Sequence, residues 1–134
     1  MMASLSLGLV RGAPRLILRL EALVLCLLSV WLFQRSGASW WLFGSLVLAP
    51  DVTILGYLAG PRIGAAIYNA GHTLLWPGLL WVIGWGTQAP LAFALALIWA
   101  THIAIDRALG YGLKYPDAFN HTHLGTIGRP GKVP

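Results

Sequence analysis

The stretch Ala89–Leu113, APLAFALALIWATHIAIDRALGYGL, is long and apolar enough to cross a membrane as one helix. A transmembrane helix needs about 20 mostly apolar residues. Three ionisable side chains interrupt this stretch: His102, Asp106 and Arg107. Because a bare charge in lipid is unfavourable, such residues usually face the interior of a helical bundle and usually have a function. The stretch therefore predicts a membrane protein with a polar site inside it.

The composition of the whole chain leads to the same class of protein. Of 134 residues, 57% are hydrophobic and 10% are charged, and the mean hydropathy is +0.72. A soluble domain carries about 25% charged residues, so the expected surroundings are a lipid bilayer. The nine Lys and Arg form no basic run, and a nucleic-acid partner is not expected despite the net charge of +5. Cys26 is the single cysteine and cannot form a disulfide within the chain.

The apolar segments predict an all-α fold: a four-transmembrane-helix antiparallel bundle over residues 1–113, followed by an irregular cytoplasmic tail over residues 114–134. The expected spans are about 16–34, 39–59, 62–86 and 89–113. Gly60-Pro61 provides a helix stop and a helix start between the second and third spans. The connections are only a few residues long, so consecutive helices should be antiparallel neighbours.

The basic residues predict that both termini are cytoplasmic. With four spans the two termini share one side, and Lys and Arg are enriched on the cytoplasmic side of membrane proteins. Only Arg35 falls on the opposite side. The basic residues on the terminal side are Arg11, Arg15, Arg19, Arg62, Lys114, Arg129 and Lys132.

Two prolines fall inside predicted spans. Pro50 should kink or break the second helix immediately before Asp51, and Pro77 should do the same in the third. The carbonyl groups freed by such a break need partners inside the protein. The carboxylate next to Pro50 favours a functional break at that point.

The polar side chains of the four spans fall at similar depths. At a rise of 1.5 Å per residue, all of them lie in the cytoplasmic half of the bilayer. His102 and Asp106 are four residues apart on one helical face, as Asn69 and His72 are at a spacing of three. The set is Glu21, Asp51, Asn69, His72, His102, Asp106 and Arg107.

Histidine and carboxylate groups on facing helices are typical of a metal site. His72, His102 and Asp106 are the predicted ligands of a divalent metal, zinc or iron. A fourth ligand, a second metal or a general base would come from Asp51, Glu21, His121 or His123.

Structural roles are the alternative for each of these groups. His102 would then form an interhelical hydrogen bond with a neighbour such as Asn69, and Glu21 would pair with Arg107. His121 and His123 would be solvated tail residues.

Several short blocks together resemble a family of small bacterial tetraspan membrane proteins that is catalogued only as a domain of unknown function. The resemblance covers roughly residues 40–128 and implies a bacterial inner-membrane protein in which the same polar positions matter. It implies no activity. The blocks are Pro50-Asp51 with Gly56-Tyr57, Tyr68-Asn69 with His72, His102 with Asp106-Arg107, Gly110–Tyr115, and Thr122–Gly125.

Three functions are compatible with these residues. The first is a metal-dependent membrane enzyme that acts on a lipid-like substrate, with Asp51, His102 and Asp106 as catalytic residues. The second is a non-enzymatic accessory or assembly subunit of a larger membrane complex, or a homo-oligomer, in which the polar groups are packing contacts. The third, a proton or ion pathway, is disfavoured because the outer half of the spans has no titratable side chain.

Overall fold

The structure is a computed structural model that describes residues 8–127. It is mainly helical, as predicted, with one short hairpin in the tail. In chain order the elements are α1 (Gly12–Ser36), α2 (Trp40–Leu46), a 3₁₀ helix (Ala49–Ala59), α3 (Pro61–His72), α4 (Leu75–Thr87), α5 (Pro90–Leu109), β1 (His121–Thr122) and β2 (Gly125–Thr126).

The second predicted span is interrupted at its proline. Pro50 has no N–H to donate to the carbonyl of Leu46, four residues earlier, and its ring would clash with that carbonyl. Helix α2 accordingly ends at Leu46, and the chain resumes as the 3₁₀ helix with Pro50 in its first turn.

The third predicted span is divided in the same way. Pro77 lies four residues after Thr73, which has an extended backbone (φ −90°, ψ 140°) between α3 and α4. These two helices have 12 and 13 residues, and each is too short to span a membrane. Within residues 8–127, the segments long and apolar enough to do so are Gly12–Ser36, Trp40–Ala59 and Pro90–Leu109.

Helices α1 and α5 pack against each other in antiparallel directions. Arg19 of α1 contacts Ala108 near the end of α5, whereas Phe33 near the end of α1 packs with Ala94 and Ile98. The 3₁₀ helix packs on α3, and α4 packs on α5. Large apolar side chains remain on the outside; Trp41, for example, is 88% exposed. Much of the exterior of this molecule is therefore apolar.

The tail is more ordered than predicted. Strands β1 and β2 form an antiparallel hairpin in which His121 lies opposite Thr126. Asn69 of α3 anchors the tail, since its side-chain amide donates to the carbonyl of Lys114 at 2.8 Å and accepts from the N–H of Lys114 at 2.7 Å. Arg129 and Lys132, two of the basic residues that predict the topology, lie outside the described residues.

Candidate metal centre

Four of the predicted side chains converge in one cluster. Asp51, His72, His102 and Asp106 each offer one ligand atom, and these atoms all lie within 4.8 Å of one another. The two histidines are buried, and the two aspartates are partly buried. Three separate elements supply the cluster, so its geometry depends on how the 3₁₀ helix, α3 and α5 are held together.

Helix α5 fixes the end of α3. The last carbonyl groups of an α-helix have no partner within the helix. Trp99 Nε1 donates to the carbonyl of Gly71 at 2.7 Å, and Arg107 Nη2 donates to the carbonyl of His72 at 3.1 Å. Both donors lie on α5, which also carries His102 and Asp106 one turn apart. The capping contacts therefore hold His72 opposite these two residues.

The break at Pro50 supplies a second fixed contact. Because α2 ends at Leu46, the N–H of Asp51 donates to the carbonyl of Leu48 at 3.0 Å and does not engage Val47. The carbonyl of Val47 instead accepts a hydrogen bond from His102 Nδ1 at 2.6 Å. The same break thus turns Asp51 toward the cluster and orients the His102 imidazole.

The imidazole of His72 is held in an equivalent way. Its Nδ1 lies 2.9 Å from the carbonyl oxygen of Tyr68, and its ring stacks on the Tyr68 ring with centroids 3.7 Å apart and an interplanar angle of 10°. A carbonyl oxygen can only accept a hydrogen bond, so Nδ1 carries the hydrogen in both histidines. Each neutral ring therefore presents an unprotonated Nε2.

The two Nε2 atoms face each other and two carboxylate oxygens. The distance between His72 Nε2 and His102 Nε2 is 3.1 Å. Asp51 Oδ1 lies 3.3 Å from the first and 3.1 Å from the second. Asp106 Oδ2 lies 3.4 Å and 3.2 Å from the same two atoms. Four atoms that accept hydrogen bonds or bind cations thus surround one point.

The structure does not bring the two tail histidines to this cluster. His121 Nδ1 lies 2.7 Å from Asp117 Oδ2, and His123 Nδ1 accepts a hydrogen bond from the N–H of Leu113 at 2.9 Å. For Asp117, burial acts to raise the pKa, but the hydrogen bond with His121 outweighs it and the pKa is lowered. Both histidines therefore have local partners, Asp117 in the tail and Leu113 immediately before it.

Asn69 and Glu21 do not form the contacts that the structural alternatives gave them. Asn69 binds the backbone of Lys114 and not His102. Within residues 8–127, no salt bridge joins Glu21 to Arg107, although both line one cavity between α1 and α5. His102 does form an interhelical hydrogen bond, but its partner is the carbonyl of Val47 and not Asn69. The predicted ion pair is absent from the described part of the chain.

Lys114 is an unexpected buried cation in the tail. Its ammonium group donates to the carbonyl of Phe119 at 2.8 Å and lies 3.8 Å from the centroid of the Phe119 ring and 4.6 Å from that of Tyr68. Burial lowers the pKa of Lys114 to about 8, although the negative charge of Asp106 opposes this shift. Lys114 and His72 therefore contact the same tyrosine, which links the tail to the cluster.

Sequence reasoning missed the backbone groups that orient the cluster, namely the carbonyls of Val47 and Tyr68. A proline four residues after Leu46 indicates that nearby carbonyls lose their helical donors. That signal did not identify His102 as the group that would bind one of them. The partner becomes apparent only when the helices are packed.

Comparison with known proteins identifies the family. A family model described as "Domain of unknown function (DUF4260)" matches residues 15–127. The chain therefore belongs to this family, and the predicted membership of a family catalogued only as a domain of unknown function is confirmed. No curated protein and no solved structure matches the chain.

Proposed function

We propose that this DUF4260 protein is an integral membrane metalloenzyme that binds a divalent cation, zinc or iron, between Asp51, His72, His102 and Asp106. The observation that carries this proposal is the fixed orientation of the two imidazoles. Each uses Nδ1 to donate to a backbone carbonyl, so both Nε2 lone pairs point at the same place as two carboxylate oxygens. Metal-binding histidines are oriented by this kind of outer hydrogen bond.

The distances between the four ligand atoms of the cluster support the binding of a metal ion. Ligands about 2.0–2.1 Å from a zinc ion form a tetrahedron with edges of about 3.3–3.4 Å. Five of the six edges of the cluster measure 3.1, 3.1, 3.2, 3.3 and 3.4 Å, and the sixth, between the two carboxylate oxygens, is at most 4.8 Å. The side chains are therefore already spaced for one small cation.

Protons alone would leave the charges and the hydrogen-bond acceptors of the cluster poorly matched. If both imidazoles were protonated, two N–H groups and two positive charges would face each other across 3.1 Å. If the two rings shared one proton, two carboxylates would compete for a single charged donor. One divalent cation satisfies all four acceptors together.

The differing exposure of the two aspartates supports a catalytic role. The side chain of Asp106 is 17% exposed and lies on the continuous helix α5, whereas that of Asp51 is 41% exposed and lies on the 3₁₀ helix. We assign His72, His102 and Asp106 as the permanent ligands and Asp51 as an exchangeable ligand that also serves as general base. A metal at this position would polarise a carbonyl or phosphoryl oxygen and lower the pKa of a bound water molecule.

An apolar groove beside the cluster supports a lipid-like substrate. The groove has a volume of about 410 Å³ and includes Pro50 and Val52, which flank Asp51, and Gly71, which precedes His72. Pockets for small organic molecules usually occupy about 300–1,000 Å³. A hydrocarbon chain in this groove would place the polar end of a lipid near the exposed side of Asp51.

The test is a change in lipid mass. Metal-loaded protein in nanodiscs of bacterial polar lipid, supplemented with isoprenoid phosphates, should convert one lipid class into a product detectable by mass spectrometry. Asp51→Asn, which keeps the size of the side chain but removes the base, should abolish conversion, whereas Asp117→Asn in the tail should not. Unchanged lipid profiles for the loaded wild-type protein across all these classes would contradict the enzymatic part of the proposal.

A further inference from the structure

A second cavity, separate from the metal centre, lies where α1, α5 and the tail meet. Its volume is about 180 Å³. The inner wall is apolar and includes the buried residues Ile103 and Leu124. Three polar side chains, those of Glu21, Arg107 and His123, also line it. The cavity therefore combines a small apolar interior with charged groups of both signs.

The charged groups in this cavity have not neutralised one another. Within residues 8–127, neither Glu21 nor Arg107 has a salt-bridge partner. Arg107 uses Nη2 to cap the carbonyl of His72, and a guanidinium has five N–H groups in all. Opposite charges that line one cavity without pairing leave room for a ligand between them.

His123 adds a donor to the same cavity. Its Nδ1 accepts a hydrogen bond from the N–H of Leu113, so the hydrogen of the neutral ring is on Nε2. Burial, followed by the positive charge of Arg107, lowers the pKa of His123 and keeps this ring neutral. The cavity thus offers donors from Arg107 and His123 and an acceptor from Glu21.

We propose that this cavity binds a headgroup that carries both a phosphate and a primary amine, as in phosphoethanolamine. The guanidinium of Arg107 and the Nε2–H of His123 would bind the phosphate, because arginine matches the geometry of phosphate oxygens. The carboxylate of Glu21 would accept hydrogen bonds from the ammonium group. A choline headgroup has no N–H to donate to Glu21, and a glycerol headgroup has no positive charge to pair with it.

The experiment measures which lipid the intact protein retains. Wild-type protein in nanodiscs of equal phosphatidylethanolamine, phosphatidylcholine and phosphatidylglycerol is released into the gas phase, and its bound lipid is identified by native mass spectrometry. Loss of a hydrogen-bonded ionic contact corresponds to about a tenfold change in affinity. We therefore expect phosphatidylethanolamine to be favoured about tenfold and Glu21→Gln to abolish that preference.

A control and a second variant keep the outcome interpretable. Arg35→Gln changes an exposed cation that lines a different groove, and it should keep the wild-type preference. Arg107→Gln should reduce retention of all three lipids alike, because all three contain the phosphate. No preference in the wild-type protein, or an unchanged preference in Glu21→Gln, would overturn the proposal.

A bilayer lipid and a free soluble compound both carry this headgroup, and competition by soluble phosphoethanolamine distinguishes between them. Competition by the soluble compound indicates a site that binds the free headgroup, whereas retention of the lipid without competition indicates a site for a bilayer lipid. Metal content is measured in the same preparations. Because Glu21 is outside the metal cluster, Glu21→Gln should keep its metal, and the two proposals can fail separately.

Discussion

At the scale of single residues, the two histidines differ from the two aspartates in how firmly they are held. The Nδ1 atoms of His72 and His102 bind the carbonyls of Tyr68 and Val47, and both rings are buried. Asp51, in contrast, is the most exposed of the four side chains. The two carboxylates should therefore contribute unequally to metal affinity.

Substitution of each aspartate by asparagine tests this inequality. Asp106→Asn should weaken zinc binding at least about 100-fold, and Asp51→Asn should weaken it by about tenfold or less, since the exposed ligand can be replaced by water. The measurement is zinc affinity by competition with a chromophoric chelator. Cobalt substitution in parallel should show a four-coordinate absorption spectrum that only Asp106→Asn abolishes.

The matched control is Asp117→Asn, which makes the same chemical change at the carboxylate that contacts His121 in the tail. It should bind zinc as the wild type does. Equal losses in Asp51→Asn and Asp106→Asn would refute the division between a permanent and an exchangeable ligand.

At the scale of elements, a broken helix builds the site. The sequence predicted the break at Pro50 because proline cannot donate to the carbonyl four residues earlier. It also predicted that His102 and Asp106 share a face, since they lie four residues apart. It could not predict which donor would satisfy the carbonyl of Val47, because that partner is 55 residues away in the sequence. Local rules predicted the elements, and packing determined their contacts.

Close packing of the 3₁₀ helix on α3 should be essential. A Cβ atom on Gly64 would lie 2.8 Å from Tyr57 Cα, and a backbone atom cannot move aside cheaply. Gly64→Ala should therefore destabilise the protein by about 1–3 kcal/mol and reduce metal binding by displacing the 3₁₀ helix that carries Asp51. The measurement is thermal unfolding in detergent together with metal content.

Gly78→Ala in α4 is the control for this substitution, because its Cβ would meet nothing within 4 Å. Alanine favours a helix over glycine by about 1 kcal/mol, so Gly78→Ala should be neutral or stabilising. If the two variants were equally stable and retained equal metal, the 3₁₀ helix would not depend on this contact.

Docking of the tail should weaken in acid. Burial and then the charge of Arg107 lower the pKa of His123 in the docked tail, whereas a free histidine has a pKa of about 6.5. The undocked tail therefore binds a proton more readily, and the stability of docking present above about pH 6.5 is lost as the pH falls below it.

Hydrogen exchange over residues 113–127, corrected for the intrinsic effect of pH, measures this change. Exchange should accelerate below about pH 6.5 in the wild type. The acceleration should disappear in His123→Gln and persist in His121→Gln, which changes the nearby histidine that contacts Asp117. Identical pH dependence in His123→Gln and the wild type would contradict the assignment.

At the scale of the whole molecule, large apolar side chains are exposed on the outside while a cluster of polar ones is buried inside. Leu58 is 88% exposed and Trp85 is 71% exposed, whereas His102 is 4% exposed. Composition alone predicted this inversion, as 10% charged residues cannot cover a surface in water. The tail hairpin escaped prediction because strands of two residues carry no detectable alternation.

The inverted exterior predicts stable membrane insertion. We expect the full chain to remain in the membrane pellet after an alkaline carbonate wash and to require detergent for release, because exposed apolar area of this extent is unfavourable in water. A soluble membrane-associated protein run in parallel provides the control. Release of the chain by carbonate alone would contradict an integral membrane location.

The most direct test of the metal centre is the metal content of the purified protein. Protein extracted in mild detergent without chelator, and measured by inductively coupled plasma mass spectrometry, should contain about one zinc or iron per chain, in keeping with a single four-ligand site. The double variant His72→Ala and His102→Ala should contain none, and His121→Ala should retain the full amount. A wild-type protein at background level that also fails to take up added zinc or iron would contradict the metal centre.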